Sequence, residues 1–113
     1  MIYNQFDVIK VPFPFTDSDN SKRRPAVIIS NSEYQVQNNH VILAMITSAK
    51  QSKWIDDIDI TNLESIGLRS ASKIRMKIFS LDQRFIVGRL GLLAEFDRNK
   101  LQKQLKTLFL VNN

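Results

Sequence analysis

Apolar positions along this chain fall into short runs whose period changes once. Phe6 to Val11 alternates and ends at Pro12, as a half-buried strand should. Pro25 to Ser30 is a nearly unbroken β-branched run. Val41 to Thr47 is continuously apolar, the pattern of a central strand buried on both faces. Ile58 and Ile60 alternate with Asp57, Asp59 and Thr61, which predicts a half-exposed strand with both aspartates on its solvent face. Ser72 to Ile78 alternates most cleanly: Ile74, Met76 and Ile78 share one face, and Lys73, Arg75 and Lys77 the other. Phe85 to Gly91 predicts a last strand, with Gly88 as a bulge or close-packing point. The period then lengthens. Leu101, Leu105, Leu108 and Phe109 recur at helical spacing. Asp97 stands where an N-cap or a first-turn acid favoured by the helix dipole would.

Six short strands followed by one helix exclude a parallel, doubly wound sheet, which needs helices between its strands. The expected fold is mainly β: a small, strongly bent antiparallel sheet or barrel closed by a C-terminal α-helix. The 113 residues are expected to form one domain, 1–113. Between the first two strands, Phe13 to Arg24 reads as a polar loop. A loop that long in a domain this small points to function.

Composition narrows the chemistry. The chain has no cysteine and one histidine, which excludes disulfides, thiolate metal sites and a histidine-rich metal centre. No apolar run approaches the roughly 20 residues of a membrane helix, and Met1 to Gln5 carries no basic leader. The expectation is a cytoplasmic protein without membrane contact, metal or cofactor. The formal net charge is +5, and it is unevenly spread. Residues 1–68 carry six basic and eight acidic side chains, net −2, whereas 69–113 carry ten and three, net +7. A basic half suits a polyanion or an acidic protein partner, or is simply a solvated face.

Several clusters could do chemistry. Lys22-Arg23-Arg24-Pro25 closes the long loop. Pro25 biases Arg24 towards an extended backbone, and a forked guanidinium matches phosphate oxygens. Thr47-Ser48 sets two hydroxyls at the end of the central strand. Lys73, Arg75 and Lys77 would stand about 6.6 Å apart on one strand face, near the phosphate spacing of a single strand, with Phe79 as a stacking plane on the same side. The same cations could instead protect a sheet edge. Asp56, Asp57 and Asp59 invite a metal, yet no glycine-rich ligand loop accompanies them. His40 has no visible acid/base partner. Phe13, Phe15 and Trp54 are loop anchors or base-stacking rings.

Taken in order, these segments resemble the PemK/MazF toxins of bacterial toxin–antitoxin systems. The likeness begins at Phe6-Asp7-Val8-Ile9 and continues through Val11-Pro12-Phe13-Pro14-Phe15-Thr16-Asp17. It is strongest at Lys22-Arg23-Arg24-Pro25-Ala26-Val27-Ile28-Ile29-Ser30. It runs on through Ala44-Met45-Ile46-Thr47-Ser48, Gly67-Leu68, Ser72-Lys73-Ile74-Arg75, Ile78-Phe79-Ser80-Leu81-Asp82 and Leu90-Gly91-Leu92-Leu93. The resemblance implies an SH3-like antiparallel barrel (PemK/MazF/CcdB-like) with a C-terminal helix, usually a homodimer. It implies a metal-independent endoribonuclease, an mRNA interferase, that cuts single-stranded RNA. It also implies neutralisation by a cognate acidic antitoxin, through which alone operator DNA would be bound. Arg24 and Thr47 match the family's catalytic pair. Lys22, Arg23, Ser48, Lys73, Arg75, Lys77 and Phe79 would then bind RNA, and Asp17, Asp19 and His40 remain as candidates for the base. Four positions depart from the pattern: the segment 17–22 differs, Phe6 replaces a glycine, Met76 stands where some members carry an acid, and Phe79 replaces an arginine. The alternative is a non-enzymatic toxin of this fold, acting on a protein target as the CcdB toxins do, or binding nucleic acid only.

Overall fold

A computed structural model describes residues 1–14 and 22–111. Its strands are β1 (Asp7–Phe13), β2 (Lys22–Ile28), β3 (His40–Ser48), β4 (Ile58–Asp59), β5 (Ser72–Asp82) and β6 (Gly88–Leu92). Helix α1 (Ser32–Asn38) separates β2 from β3, and α2 (Glu95–Leu108) ends the fold. The strands form one antiparallel sheet in the order β4-β5-β3-β2-β1-β6, curled into a half-barrel. The mainly β fold with a C-terminal helix is as expected.

The sheet has a hydrophobic layer on each face, which explains why its central strands read as unbroken apolar runs. One layer joins Val8, Val27, Ala44, Ile46 and Ile74 to Leu101 of α2, with Met76 and Ile78 packed at its margin. The other joins Ile9, Val11, Ala26, Ile28, Leu43 and Met45, with Phe13 and Phe79 at its margin. The alternation read in β5 therefore holds: Ile74, Met76 and Ile78 share the helix side.

Strand limits differ from the sequence reading for identifiable reasons. β1 continues through Pro12 to Phe13, because β6 pairs only with Asp7 to Lys10. Beyond Lys10, β1 has a free side where the missing N–H of Pro12 costs nothing. Lys22, Arg23 and Arg24 belong to β2 and pair with Phe13, Pro12 and Val11, so they do not end a loop. Helix α1 is unexpected from its sequence. Its single buried side chain is Gln35, while Val36 is exposed, so no apolar stripe marks it. Its caps are conventional: the Asn31 side chain accepts from the Tyr34 N–H at 2.8 Å, and Asn39 takes the left-handed conformation. Gln35 accepts from the Tyr3 N–H and donates to the Met1 carbonyl and the Gln83 side chain.

The open edge of the sheet is closed by packing. Gly88 has open space around it, whereas a Cβ on Gly91 would lie 2.1 Å from the Ser65 carbonyl oxygen. The close approach belongs to Gly91, where β6 meets the 3-10 turn Glu64–Ile66. Gly91→Ala should cost about 1–3 kcal/mol, read as a lowered urea midpoint at unchanged slope. Asp97 is not the N-cap, a position held by Ala94. It is the first-turn acid, fully buried, and accepts from the Thr61 N–H and hydroxyl and the Asn62 N–H. Burial opposes its charge, but these hydrogen bonds outweigh it and hold its carboxyl below the ordinary range. No helix among the described residues is long and apolar enough to cross a membrane.

Candidate functional site

The β2–β3 ladder pairs Ala26 with Met45, Val27 with Ala44 and Ile28 with Leu43. Continued two residues, the same register sets Arg24 across from Thr47. Parity then decides the face. Ala26, Met45 and Val11 all belong to the layer remote from α2, and Arg24 and Thr47 lie on that side. Together they line a cleft of about 230 Å³ with Phe13, Met45, Gln51, Arg75 and Lys77. Arg24 is exposed and Thr47 half-buried. Among the described residues, no hydrogen bond or ion pair holds the Arg24 guanidinium. Arg23, one residue away, projects from the opposite face, whereas Lys22 shares the face of Arg24.

Two cations of β5 do not stand free as alternation predicts. Lys73 is only 4 % exposed. Its Nζ lies 3.1 Å from the Asp57 carboxylate and donates to the Gln51 carbonyl at 2.7 Å. Arg75 grips the same carboxylate with two N–H groups, at 3.2 and 3.0 Å, and donates to the Ser52 carbonyl. Asp57 precedes the two-residue strand β4, in a turn where it also accepts from the Trp54 N–H at 3.0 Å. Its side chain is therefore 3 % exposed and not on a solvent face. Asp59 is exposed. Burial opposes ionisation of Asp57, but Arg75, the Trp54 amide and Lys73 outweigh it and hold its pKa at about 2.

The register of β3 on β5 shifts where these residues sit. Ala44 pairs with Ile78 and Ile46 with Ile74, so β5 spends two extra residues there. Such bulges re-aim side chains next to sites. Within it, Lys77 is exposed, with its ammonium 5.0 Å from the Phe13 ring. Phe79 packs at the margin of the core, its ring centroid 6.0 Å from that of Phe13. It packs against the core and the Phe13 ring and is not a free stacking plane. The Ser48 hydroxyl accepts from the Lys50 N–H and serves a turn.

His40 begins β3, and Thr47 lies seven residues further on, roughly 23 Å along the strand. Its Nδ1 lies 2.8 Å from the Asn38 carbonyl oxygen. His40 is thus no partner for Arg24. Asp17, Asp19 and Phe15 lie outside the described residues. Among the described residues, no three His, Asp or Glu side chains gather as a metal site. The sequence reading missed Gln51 and the clamp role of Asp57. No periodic signal in the sequence marks Asp57, whose role depends on the turn and on the distant Lys73 and Arg75.

The family model described as "PemK-like, MazF-like toxin of type II toxin-antitoxin system" matches residues 4–109. The chain belongs to this toxin family. No curated protein sequence matches it. Among solved structures, a MazE–MazF complex from Deinococcus radiodurans is similar, with TM-score 0.74, 16 % identity and 99 % of each chain covered. A mycobacterial endoribonuclease in complex with its cognate antitoxin has TM-score 0.74 at 15 % identity, over 99 % of this chain and 97 % of that one. The Mycobacterium tuberculosis toxin MazF-mt6 has TM-score 0.71 at 14 % identity, over 95 % and 99 %. At such identities the likeness is one of fold.

Two positions set apart in the sequence reading acquire a physical meaning. Phe6 holds φ at 73°, a conformation costly for a bulky side chain. The ring packs against the core beneath α2, which offsets that strain. Met76 packs into the same layer, so its position faces away from the cleft.

Proposed function

We propose that this toxin is a metal-independent endoribonuclease acting on single-stranded RNA, with Arg24 and Thr47 as its catalytic pair. The observation that carries this reading is their convergence in one open cleft edged by Lys77 and Arg75. RNA supplies its own nucleophile. Its 2′-OH attacks the neighbouring phosphorus, the bond to the 5′ oxygen breaks, and a 2′,3′-cyclic phosphate and a 5′-OH end result. The proton lost by the 2′-OH is matched by the one gained by the leaving oxygen. Arg24 stabilises the charge that builds on the phosphoryl oxygens. Thr47 donates a hydrogen bond to the phosphate; its hydroxyl is far too weak an acid to act as a free base. Asp57 is committed to Lys73 and Arg75, which leaves Asp17 and Asp19 as candidates for the base.

Lys22, Arg24 and Lys77 are the cations that would meet phosphates on the cleft face. Lys77→Ala should weaken RNA binding about equally across sequences. It should also lower the slope of log affinity against log salt by about 0.7, read by titration between low and moderate salt. Lys73→Ala should act through stability instead. The basic surface also suits a cognate acidic antitoxin, and the toxin is expected to work as a homodimer.

The test is a long, mixed-sequence RNA incubated with the protein in EDTA, followed by mapping of the ends. Discrete cuts with cyclic phosphate termini support the reading. Cleavage that survives 2′-O-methylation at the cut site would rule out attack by the 2′-OH. Intact RNA with salt-sensitive binding would leave a non-cleaving, nucleic-acid-binding toxin.

A further inference from the structure

The loop of residues 49–57 is pinned to β5 beside the cleft, and the pinning is elaborate for a mere connection. Asp57 is held by both Lys73 and Arg75, and these cations also take the carbonyls of Gln51 and Ser52. The result of this fixing is a displayed aromatic. The Arg75 guanidinium lies 4.7 Å from the Trp54 ring centroid, yet Trp54 remains 45 % exposed and the adjoining Ile55 94 % exposed. Arg75 and Gln51 both line the cleft that holds Arg24 and Thr47. A large indole is thus held beside the cleft-lining Arg75, with that cation over its ring and almost half of its surface exposed. A core role does not account for it, since Trp54 belongs to neither hydrophobic layer.

We propose that Trp54 is a base-stacking platform that receives an unpaired nucleobase next to the phosphate held by Arg24. The inference rests on the ribonuclease reading above and adds a residue that determines specificity. Every nucleobase has a π-face, so stacking supplies affinity, with the larger purines favoured by overlap. Arg75 has two jobs here. It backs the indole through a cation–π contact, and its bond to Asp57 fixes the angle at which the ring meets the strand. Trp54 would act as a positioning group and take no part in proton transfer.

The chain has one tryptophan, so its fluorescence reports this residue alone. The experiment titrates the non-cleaving Arg24→Ala toxin with a short mixed-sequence single-stranded RNA, and with an abasic oligonucleotide of equal length and charge. Saturable quenching by the RNA, and little by the abasic strand, is expected. Trp54→Ala in the otherwise unaltered protein should bind RNA roughly 5- to 150-fold more weakly and lose base preference at one position of its cut sites. Trp54→Phe should recover most of both. A thermal midpoint unchanged in Trp54→Ala separates this from unfolding; if that variant is destabilised, the fluorescence titration decides alone. Cleavage by the unaltered protein without RNA-specific quenching would overturn the platform and leave the ribonuclease standing. RNA that is neither bound nor cut would overturn both.

Discussion

Arg24→Ala should slow cleavage about 100- to 1,000-fold, the usual loss when one donor to a developing oxyanion is removed. The loss should fall on the single-turnover rate. Binding should weaken much less, because one phosphate contact among several is lost. The cleft geometry sets this split. Arg24 is exposed, without a partner among the described residues, and across from Thr47, so its removal unpairs nothing in the fold. Stability should therefore stay within about 0.5 kcal/mol of the parent. Arg24→Lys should recover only part of the rate, since a point charge does not reproduce the planar fork. Measuring rate and affinity on the same RNA gives the decision. If the fall in rate at saturating RNA is negligible, Arg24 is a binding residue and the proposed mechanism is wrong.

Asp57→Ala should be the most destabilising substitution on the cleft side, by about 3–4 kcal/mol. It leaves the buried Lys73 and the partly buried Arg75 without their counter-charge, although each retains a carbonyl acceptor. The same carboxylate predicts a pH dependence. Its folded-state pKa is about 2, depressed from 3.8. A depressed acid contributes stability above its unfolded pKa and loses that contribution as pH falls through its folded one. The ion-pair contribution should thus be intact above about pH 5 and decline between about pH 4 and pH 2. It is worth about 2 kcal/mol. Urea unfolding at pH 7 and pH 3 checks this: the difference should shrink in Asp57→Asn. An undiminished difference would place the acid sensitivity elsewhere, with Asp97 the next carboxylate to examine. Asp57→Asn should also cut less RNA, because Gln51, which lines the cleft with Arg24, loses the anchor of its loop.

The barrel was legible because its information is periodic. Runs such as Val41 to Thr47 and the alternation through Ile74, Met76 and Ile78 report burial on one or both faces directly. Arg24 and Thr47 were legible through the order of family-like segments; spacing alone would not have paired residues more than 20 positions apart. Three things were hidden, each for its own reason. Helix α1 turns a glutamine inward, which no hydropathy pattern signals. Asp57 sits just before a strand too short to impose its alternation, so face assignment by parity failed there. Lys73 has the parity of a cleft residue, but burial depends on what the 49–57 loop lays over it, and that loop is brought in by a carboxylate 16 residues away in sequence.

The two-layered sheet also separates how variants of this toxin would fail. In a selection for cells that survive its expression, β2 and β3 should show two kinds of failure, set by burial and face together. Changes at Val27, Ala44 and Ile46, which face α2, should remove the protein itself by exposing it to degradation. Changes at Arg24 and Thr47, one register step away on the other face, should leave normal amounts of a harmless protein. An inactive toxin still able to occupy its antitoxin would then arise at the open end of the cleft face and rarely from the buried positions of either layer, Ala26 and Met45 included.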